Sequence, residues 1–328
     1  MPSETDSSGT VWLKPSNINC SEIATKVLRS ATVEEIRRDY GSGLRESEWI
    51  ELVKTVREVI RSSTSPSEES EKLVKDLNDK LASYALAIPV TTMVSEARRV
   101  LSLTGDISSN LKSIINMFIS IVMHPRLRAL QLVGRFKKLK EFQEFCYIIE
   151  SSTIAFYRGN IACSYLSILP VIEGIILRLL GYTSTTSLKP SFHEIATYIE
   201  KSPQRESFPL QLNFMDSWIQ AASRIMKDHL YKDTRGGDAY DYFSRHLALH
   251  MLEDKSFCTP ENIMRAFLLL DLMTEIYICE KRMADPRWSA THKEEKSYLN
   301  AYLTAAGLRK VDKQPEELLY GYQKYQFS

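Results

Sequence analysis

The spacing of apolar residues constrains the fold of this chain more than any other feature of its sequence. Along most of the 328 residues, apolar side chains recur at intervals of three and four positions, and strand-like alternation is rare. Gly and Pro number only 12 each. Because a helix repeats about every 3.6 residues and a strand every two, the pattern predicts an all-α protein.

Local start and stop signals divide this pattern into helices. In "CTPENIMRAFLLLDLMTEIYI", Thr259 is a suitable N-cap and Pro260 suits the first helical position. The stretch "HPRLRAL" at 124–130 predicts a break and restart, and Gly181 is suited to cap the end of the most apolar helix. Further helices are predicted near 20–39, 45–62, 67–86, 191–201 and 211–229.

The texture of the sequence changes near residue 150, where the helices become more apolar, and this change suggests a domain boundary. Residues 1–17 are polar and are expected to be disordered. Residues 18–150 are then a helical N-terminal region of unknown role, residues 151–285 a second helical domain, and residues 286–328 a C-terminal helical extension.

Composition and cysteine usage indicate a soluble cytoplasmic protein. The 42 basic and 41 acidic residues nearly balance, so net charge points to no partner. Five scattered cysteines without a CxxC pair fit a reducing compartment, and the N-terminus lacks a secretory signal. No membrane span is expected: the run "LKSIINMFISIVM" is too short, and "IACSYLSILPVIEGIILRLLG" carries Pro170, Glu173 and Arg178.

The segment "SRHLALHM" combines residues that a plain core helix does not need. His246 and His250 are four positions apart and share one helical face, while the long side chain of Arg245 can swing towards them. A guanidinium is suited to bind phosphate, and a histidine that titrates near neutral pH can give and take protons. Together these side chains supply two parts of a site that cleaves a phosphodiester.

The spacing from Arg245 to His250 resembles the R-x4-6-H signature of HEPN domains, the higher eukaryote and prokaryote nucleotide-binding family. Many bacterial members have "NRHxxLHG", where this chain has Ser244 for Asn and Met251 for Gly. "TPENIMRAFLLLDLM" resembles the helix that follows the motif in the family, and "FYRGNIACSYLSILPVIEGIILRLLG" a helix that precedes it. The resemblance covers about residues 150 to 282, under half of the chain.

The resemblance implies an antiparallel helical bundle that dimerises, so that two Arg–His sets line one cleft. Active members are metal-independent endoribonucleases, and many are toxins or antiviral effectors. The implied roles are proton transfer for His250, phosphate binding for Arg245 and support for His246. We therefore expect an RNA-cleaving homodimer without a cofactor or metal, in a bacterial defence or toxin context, with an antitoxin or sensor protein as a possible partner.

Other residues are candidates for supporting roles. Glu173 lies in the most apolar helix, and it is expected either to pair with Arg245 or to reach water at an edge. Arg158 is a candidate phosphate contact, although an exposed charge at the end of a helix is the favoured explanation. The basic and aromatic stretch "GRFKKLKEFQEF" offers Arg135, Lys137 and Lys138 as RNA contacts, but an ordinary core stripe with a solvated basic face is favoured there.

Two different classes of function remain open at this level. In one, His246 and His250 chelate zinc, with Cys258 or Glu253 completing the site, but "HLALH" lacks the glutamate of the HExxH pattern. In the other, the chain is a non-catalytic HEPN-like module for dimerisation or partner binding. A purely structural interpretation of the motif also remains open, in which its polar side chains are solvated or pair with Glu253 and Asp254 at the surface-facing end of a core helix.

Overall fold

A computed structural model describes residues 38, 45–64, 68–92, 94–183, 185, 188–205, 215–232, 243–250, 257–281 and 292–311. Within these ranges the chain forms helices, turns and connecting segments, and it contains no strand. The all-α prediction is therefore confirmed for the described part. Residues 1–17 and, apart from position 38, the helix predicted near 20–39 lie outside the described ranges.

The α-helices of the described ranges are, in chain order, α1 Glu46–Thr64, α2 Glu68–Leu81, α3 Val94–Leu103, α4 Ile107–Val122, α5 Pro125–Gln131, α6 Lys140–Gln143, α7 Cys146–Arg158, α8 Ile161–Leu179, α9 Phe192–Ala196, α10 Ser202–Arg205, α11 Met215–Arg224, α12 Arg245–His250, α13 Pro260–Glu280 and α14 His292–Val311. Two π-helical segments, Leu132–Phe136 and Ile225–Leu230, directly follow α5 and α11. The second of them ends next to Tyr231, which contributes to the candidate site.

The chain divides into two compact units, residues 1–67 with 281–284 and residues 68–280 with 285–328. The structure does not divide near residue 150, where the sequence texture suggests a boundary. Helix α7 runs through that position, and Ile149 belongs to the same buried core as Leu77 and Ile276. The change in texture therefore marks the passage to more deeply buried helices of one core, because apolar content follows burial.

The described part of the first unit is dominated by α1. Its Trp49 and Val53 are four positions apart on one face and are both buried, with 1% of each residue exposed. Near the start of the helix, Arg45 forms an exposed ion pair with Glu48 at 2.9 Å. Exposed pairs of this kind contribute at most about 1 kcal/mol, so burial of the apolar face is the stronger reason for this helix.

Helix α13 is the central helix of the second unit. Nearly every side chain from Asn262 to Ile278 is buried, and the helix packs against α4, α8 and α11. Its start follows the prediction, because Thr259 Oγ1 accepts a hydrogen bond from the Asn262 backbone N–H at 3.2 Å. A helix that is buried on nearly all sides is stabilised mainly by the neighbours that surround it.

Helix α8 carries Glu173, one of the candidate site residues. It packs against α7 and α13 and ends where Gly181 adopts a φ of 80°, with the Tyr182 N–H bonded to the Leu177 carbonyl at 2.8 Å. The predicted glycine cap is therefore confirmed. Among the described helices, α8 alone is long and apolar enough to span a membrane, with a mean hydropathy of 1.6, but core helices meet the same criterion.

Candidate active site

The motif residues form the short helix α12, Arg245–His250. Phe243 and Ala248 are buried, with 1% and 4% exposed, and the Phe243 ring packs near the buried Tyr165 of α8 at 6.3 Å between centroids. The Ala248 N–H also bonds the Ser244 carbonyl at 3.3 Å. Apolar anchors on either side of Arg245 therefore fix the start of α12 against α8, and the predicted helical conformation of the motif is confirmed.

An ion pair joins Glu173 of α8 to Arg245 of α12. Arg245 Nη2 lies 2.5 Å from Glu173 Oε2, and the two side chains are 23% and 12% exposed. The predicted pairing of Glu173 with Arg245 is therefore confirmed, and it explains how a carboxylate is accommodated in the most apolar helix of the chain. Because the pair is not sealed from solvent, a ligand can approach the guanidinium.

A second cation shares the same carboxylate. Lys189 Nζ lies 3.7 Å from Glu173 Oε1, and its side chain is 59% exposed. Among the described residues, Glu173 thus faces one cation with each oxygen, and these two positive charges surround one negative charge. The remaining positive charge favours an anionic ligand such as a phosphate.

The ring of Tyr231 packs against the guanidinium of Arg245. The guanidinium carbon lies 5.7 Å from the centroid of the Tyr231 ring, and only 4% of Tyr231 is exposed. Burial raises the pKa of Tyr231, and the Glu173 charge raises it further, so the phenol keeps its proton at neutral pH. Neither the Tyr231 hydroxyl nor Arg245 Nε has a hydrogen-bond partner among the described residues.

The two histidines of the motif differ in what the structure describes. His246 is exposed and directly follows Arg245 on α12. His250 is the last residue of α12, so its backbone position is known, but its side chain lies outside the described part of the chain. The predicted opening of Arg245 and His250 into one cleft therefore stays a prediction for His250.

The structure does not bring Arg158 to this site. Arg158 ends α7, before the N-terminus of α8, whereas Glu173 lies more than three turns further along α8. Arg158 is half-buried, and its Nη1 has no hydrogen-bond partner among the described residues. A phosphate contact by Arg158 would therefore belong to a different part of the surface.

The predicted RNA contact by Arg135 is corrected by the structure. Arg135 is 1% exposed, and its Nε and Nη2 lie 2.9 and 3.2 Å from the two carboxylate oxygens of Glu275 on α13. Lys137 is half-buried, with Nζ 4.3 Å from the centroid of the Tyr298 ring, whereas Lys138 is exposed. The core stripe expected from the alternative interpretation is therefore confirmed for Phe136, Leu139 and Phe142, which are buried. The solvated basic face is wrong for Arg135, which turns inward to pair with Glu275.

The zinc alternative gains no support from the described residues. They contain no group of three or more His, Cys, Asp or Glu side chains placed to share a metal ion. Cys258 is half-buried against the core, and burial raises the pKa of its thiol. Glu253, Asp254 and the His250 side chain lie outside the described part, so neither the zinc hypothesis nor the purely structural interpretation of the motif is tested there.

Sequence reasoning missed Lys189, Phe192 and Tyr231. Lys189 and Phe192 belong to the connector after α8 and the start of α9, and Tyr231 follows a π-helical segment. The Phe192 ring meets the Tyr231 ring at 5.2 Å and an angle of 68°. No spacing rule links these positions to Arg245, because only the tertiary fold brings the connector, the π-helical segment and α12 together.

Comparison of the chain with protein-family models, with curated proteins and with solved structures finds no match.

Proposed function

We propose that this chain is a HEPN-type, metal-independent endoribonuclease that acts in the cytoplasm. The observation that carries the proposal is the partly exposed cationic pair formed by Arg245 of α12 and Lys189 of the connector after α8, which share the carboxylate of Glu173. Arg245 is also the first residue of the R-x4-H segment that the sequence singles out. A partly exposed arginine with an excess of positive charge is suited to hold the phosphate of an RNA strand.

In the proposed reaction, Arg245 binds the scissile phosphate and neutralises charge in the transition state. A histidine of the motif, His250 with support from His246, removes the proton from the ribose 2′-hydroxyl. The 2′-oxygen then forms a bond to phosphorus, and the bond from phosphorus to the 5′-oxygen breaks. A protonated histidine returns a proton to that leaving oxygen, which yields a 2′,3′-cyclic phosphate and a 5′-hydroxyl.

The proton balance favours a homodimer. One group is needed to deprotonate the attacking hydroxyl and another to protonate the leaving oxygen. Two copies of Arg245 and His250 across a two-fold axis supply both. In this proposal the protein is a bacterial antiviral or toxin effector, and residues 1–150 together with an antitoxin or sensor protein control its activation.

The proposal is tested by incubating the full-length protein with total RNA in the presence of EDTA. We expect RNA fragments with 2′,3′-cyclic phosphate ends from the wild-type protein, and a loss of about 100-fold or more in rate for Arg245→Ala and for His250→Ala. Arg126→Ala is a matched control, since Arg126 forms a surface ion pair with Glu295 and is 63% exposed. The control is expected to retain full activity.

Two results would contradict the proposal. If the fragments persist in Arg245→Ala, another site or a contaminant cuts the RNA. If the wild-type protein produces no fragments with or without its partner while it still dimerises, the alternative of a non-catalytic helical module replaces the nuclease.

A further inference from the structure

The connector that carries Lys189 also carries an exposed aromatic side chain, Phe192. It is the first residue of α9, where Ser191 caps the helix by accepting a hydrogen bond from the Glu194 N–H at 3.2 Å, and the Glu194 side chain returns to the Ser191 N–H at 2.7 Å. This capping box fixes the backbone at Phe192. The ring is therefore held in place at the surface by a defined local structure.

Phe192 is 52% exposed, although a core is available next to it. The same short helix buries Ile195 and Ala196, with 3% and 7% exposed. The Phe192 ring contacts Tyr231 and otherwise faces solvent over about half of its surface. Packing of α9 thus relies on other residues, and the accessible part of the Phe192 ring is available to a ligand.

Three consecutive contacts connect Phe192 to the cationic pair. Its ring meets the Tyr231 ring at 5.2 Å, the Tyr231 ring lies 5.7 Å from the Arg245 guanidinium carbon, and Arg245 binds Glu173. Lys189, which lies three residues before Phe192, binds the other oxygen of Glu173. An aromatic surface and two cations therefore lie side by side, which is the combination that binds single-stranded nucleic acids through stacked bases and phosphates.

We propose that Phe192 is a stacking platform for an unpaired base of single-stranded RNA, whose adjoining phosphate is held by Lys189 and Arg245. The inference rests on the proposed function for the identity of the strand as RNA. It adds a residue that contacts a base, and it predicts that this contact requires an unpaired base, since a base inside a duplex has no free face for Phe192. Stacking tolerates every base, so the platform confers a preference for single strands without a sequence code.

Binding of a cleavage-resistant strand tests the platform separately from catalysis. The ligand is a short 2′-O-methyl oligoribonucleotide with a fluorescent end label, titrated with the full-length protein. Phe192→Ala is expected to weaken binding about 5- to 150-fold, the range that loss of one stacked base produces. Phe192→Trp is expected to retain wild-type affinity, whereas Phe192→Leu, which preserves packing on Tyr231 without an aromatic face, is expected to bind as weakly as Phe192→Ala.

A matched control is available in Tyr147 on α7, an aromatic residue that is 79% exposed and lies outside the connector that carries Lys189 and Phe192. Tyr147→Ala is expected to bind like the wild-type protein. In addition, an oligonucleotide of the same length with abasic sugars is expected to bind wild-type protein and Phe192→Ala equally. Thermal unfolding of each variant establishes that it is folded under the conditions of the titration.

The outcomes separate this inference from the nuclease proposal. If the wild-type protein cuts RNA but Phe192→Ala binds as tightly as the wild type, or Phe192→Leu restores binding fully, the platform is refuted and the nuclease stands. If the wild-type protein binds the strand through Phe192 but cuts no RNA, the platform stands and the nuclease falls. If the wild-type protein binds no single strand, or prefers a duplex of the same length, the platform is refuted.

Discussion

Two kinds of arginine–carboxylate pair join helices of the second unit, and they differ in how the carboxylate is shared. In the core, Asp271 gives both oxygens to Arg128 and Glu275 gives both to Arg135. Both arginines are 1% exposed. At the candidate site, Glu173 divides its oxygens between Arg245 and Lys189, and these side chains are 23% and 59% exposed.

The two kinds of pair share an aromatic support, so the difference lies in the charges and in access. The Arg128 guanidinium lies 5.2 Å from the Phe267 ring centroid, much as Arg245 lies over Tyr231. A buried bidentate pair does not exchange its carboxylate for a ligand, because an unpaired charge in the core is costly. A shared, half-exposed pair can exchange its carboxylate for a phosphate of similar geometry. The comparison thus separates a structural pair from one that can bind a ligand.

The largest expected effect concerns the core. Asp271→Ala leaves the Arg128 charge buried without its partner, and we expect the free energy of unfolding to fall by about 3–5 kcal/mol. Urea unfolding followed by circular dichroism measures it. Glu69→Ala, which removes the exposed pair with Arg98, is the control and is expected to cost at most about 1 kcal/mol. Equal losses in the two variants would remove the distinction between buried and exposed pairs.

The next effect concerns competition at the site. Glu173→Gln removes the negative charge and keeps the size, so Arg245 and Lys189 no longer share an internal counterion. We expect a cleavage-resistant single strand to bind several-fold more tightly at low salt, because the competing ion pair, which contributes up to about 1 kcal/mol, is lost. In Glu275→Gln, the core carboxylate changes instead, so stability is expected to fall without tighter binding. Weaker binding in Glu173→Gln would mean that the carboxylate orients Arg245 and does not compete with phosphate.

A smaller effect concerns the salt dependence of the same binding. Each phosphate neutralised on a single strand adds about 0.7 to the slope of log K against log salt. Arg245→Ala is expected to reduce the magnitude of that slope by about this amount, and Arg126→Ala to leave it unchanged. An unchanged slope in Arg245→Ala would show that the guanidinium contacts no phosphate.

The smallest effect is a pH dependence of stability from His229, a partly buried histidine. His229 Nε2 lies 2.9 Å from the Ala82 carbonyl oxygen, and burial lowers the His229 pKa below its ordinary value. Because the unfolded state then binds more protons, His229 stabilises the fold above about pH 6.5, and this contribution is lost as pH falls below that value. Urea unfolding at pH 7.5 and pH 5 measures the change. A His229→Gln variant with the same pH dependence would exclude His229 as its source.

The fold was predictable where the signal is local. Apolar spacing predicts the helices, and the caps at Thr259 and Gly181 follow from side-chain and backbone chemistry that acts within one turn. The boundary suggested near residue 150 had no such local basis. It rested on a change in apolar content, which follows burial depth, and burial depth is a property of the assembled core. A change in apolar content along the chain therefore does not separate two cores. Neither apolar spacing nor the capping residues predicted the π-helical segments Leu132–Phe136 and Ile225–Leu230.

The candidate site was predictable in part. Pairing of Glu173 with Arg245 was one of two alternatives, because a carboxylate in an apolar helix needs either a partner or an edge position that reaches water. Arg135 was ambiguous, because a basic stretch looks alike whether one of its arginines turns outward to RNA or inward to Glu275. Lys189, Phe192 and Tyr231 were beyond sequence reasoning, since their neighbours are set by tertiary contacts between segments far apart in the chain.

Cleavage of a chimeric strand tests the central claim most directly. The substrate is a single-stranded DNA oligonucleotide with one ribonucleotide inside, incubated with the full-length protein in EDTA. The account predicts one cut on the 3′ side of the ribose, a product that ends in a 2′,3′-cyclic phosphate, and a rate at least about 100-fold lower for Arg245→Ala. Cleavage of the all-DNA strand, or an equal rate in Arg245→Ala, would contradict a site in which Arg245 holds the phosphate for attack by a 2′-hydroxyl.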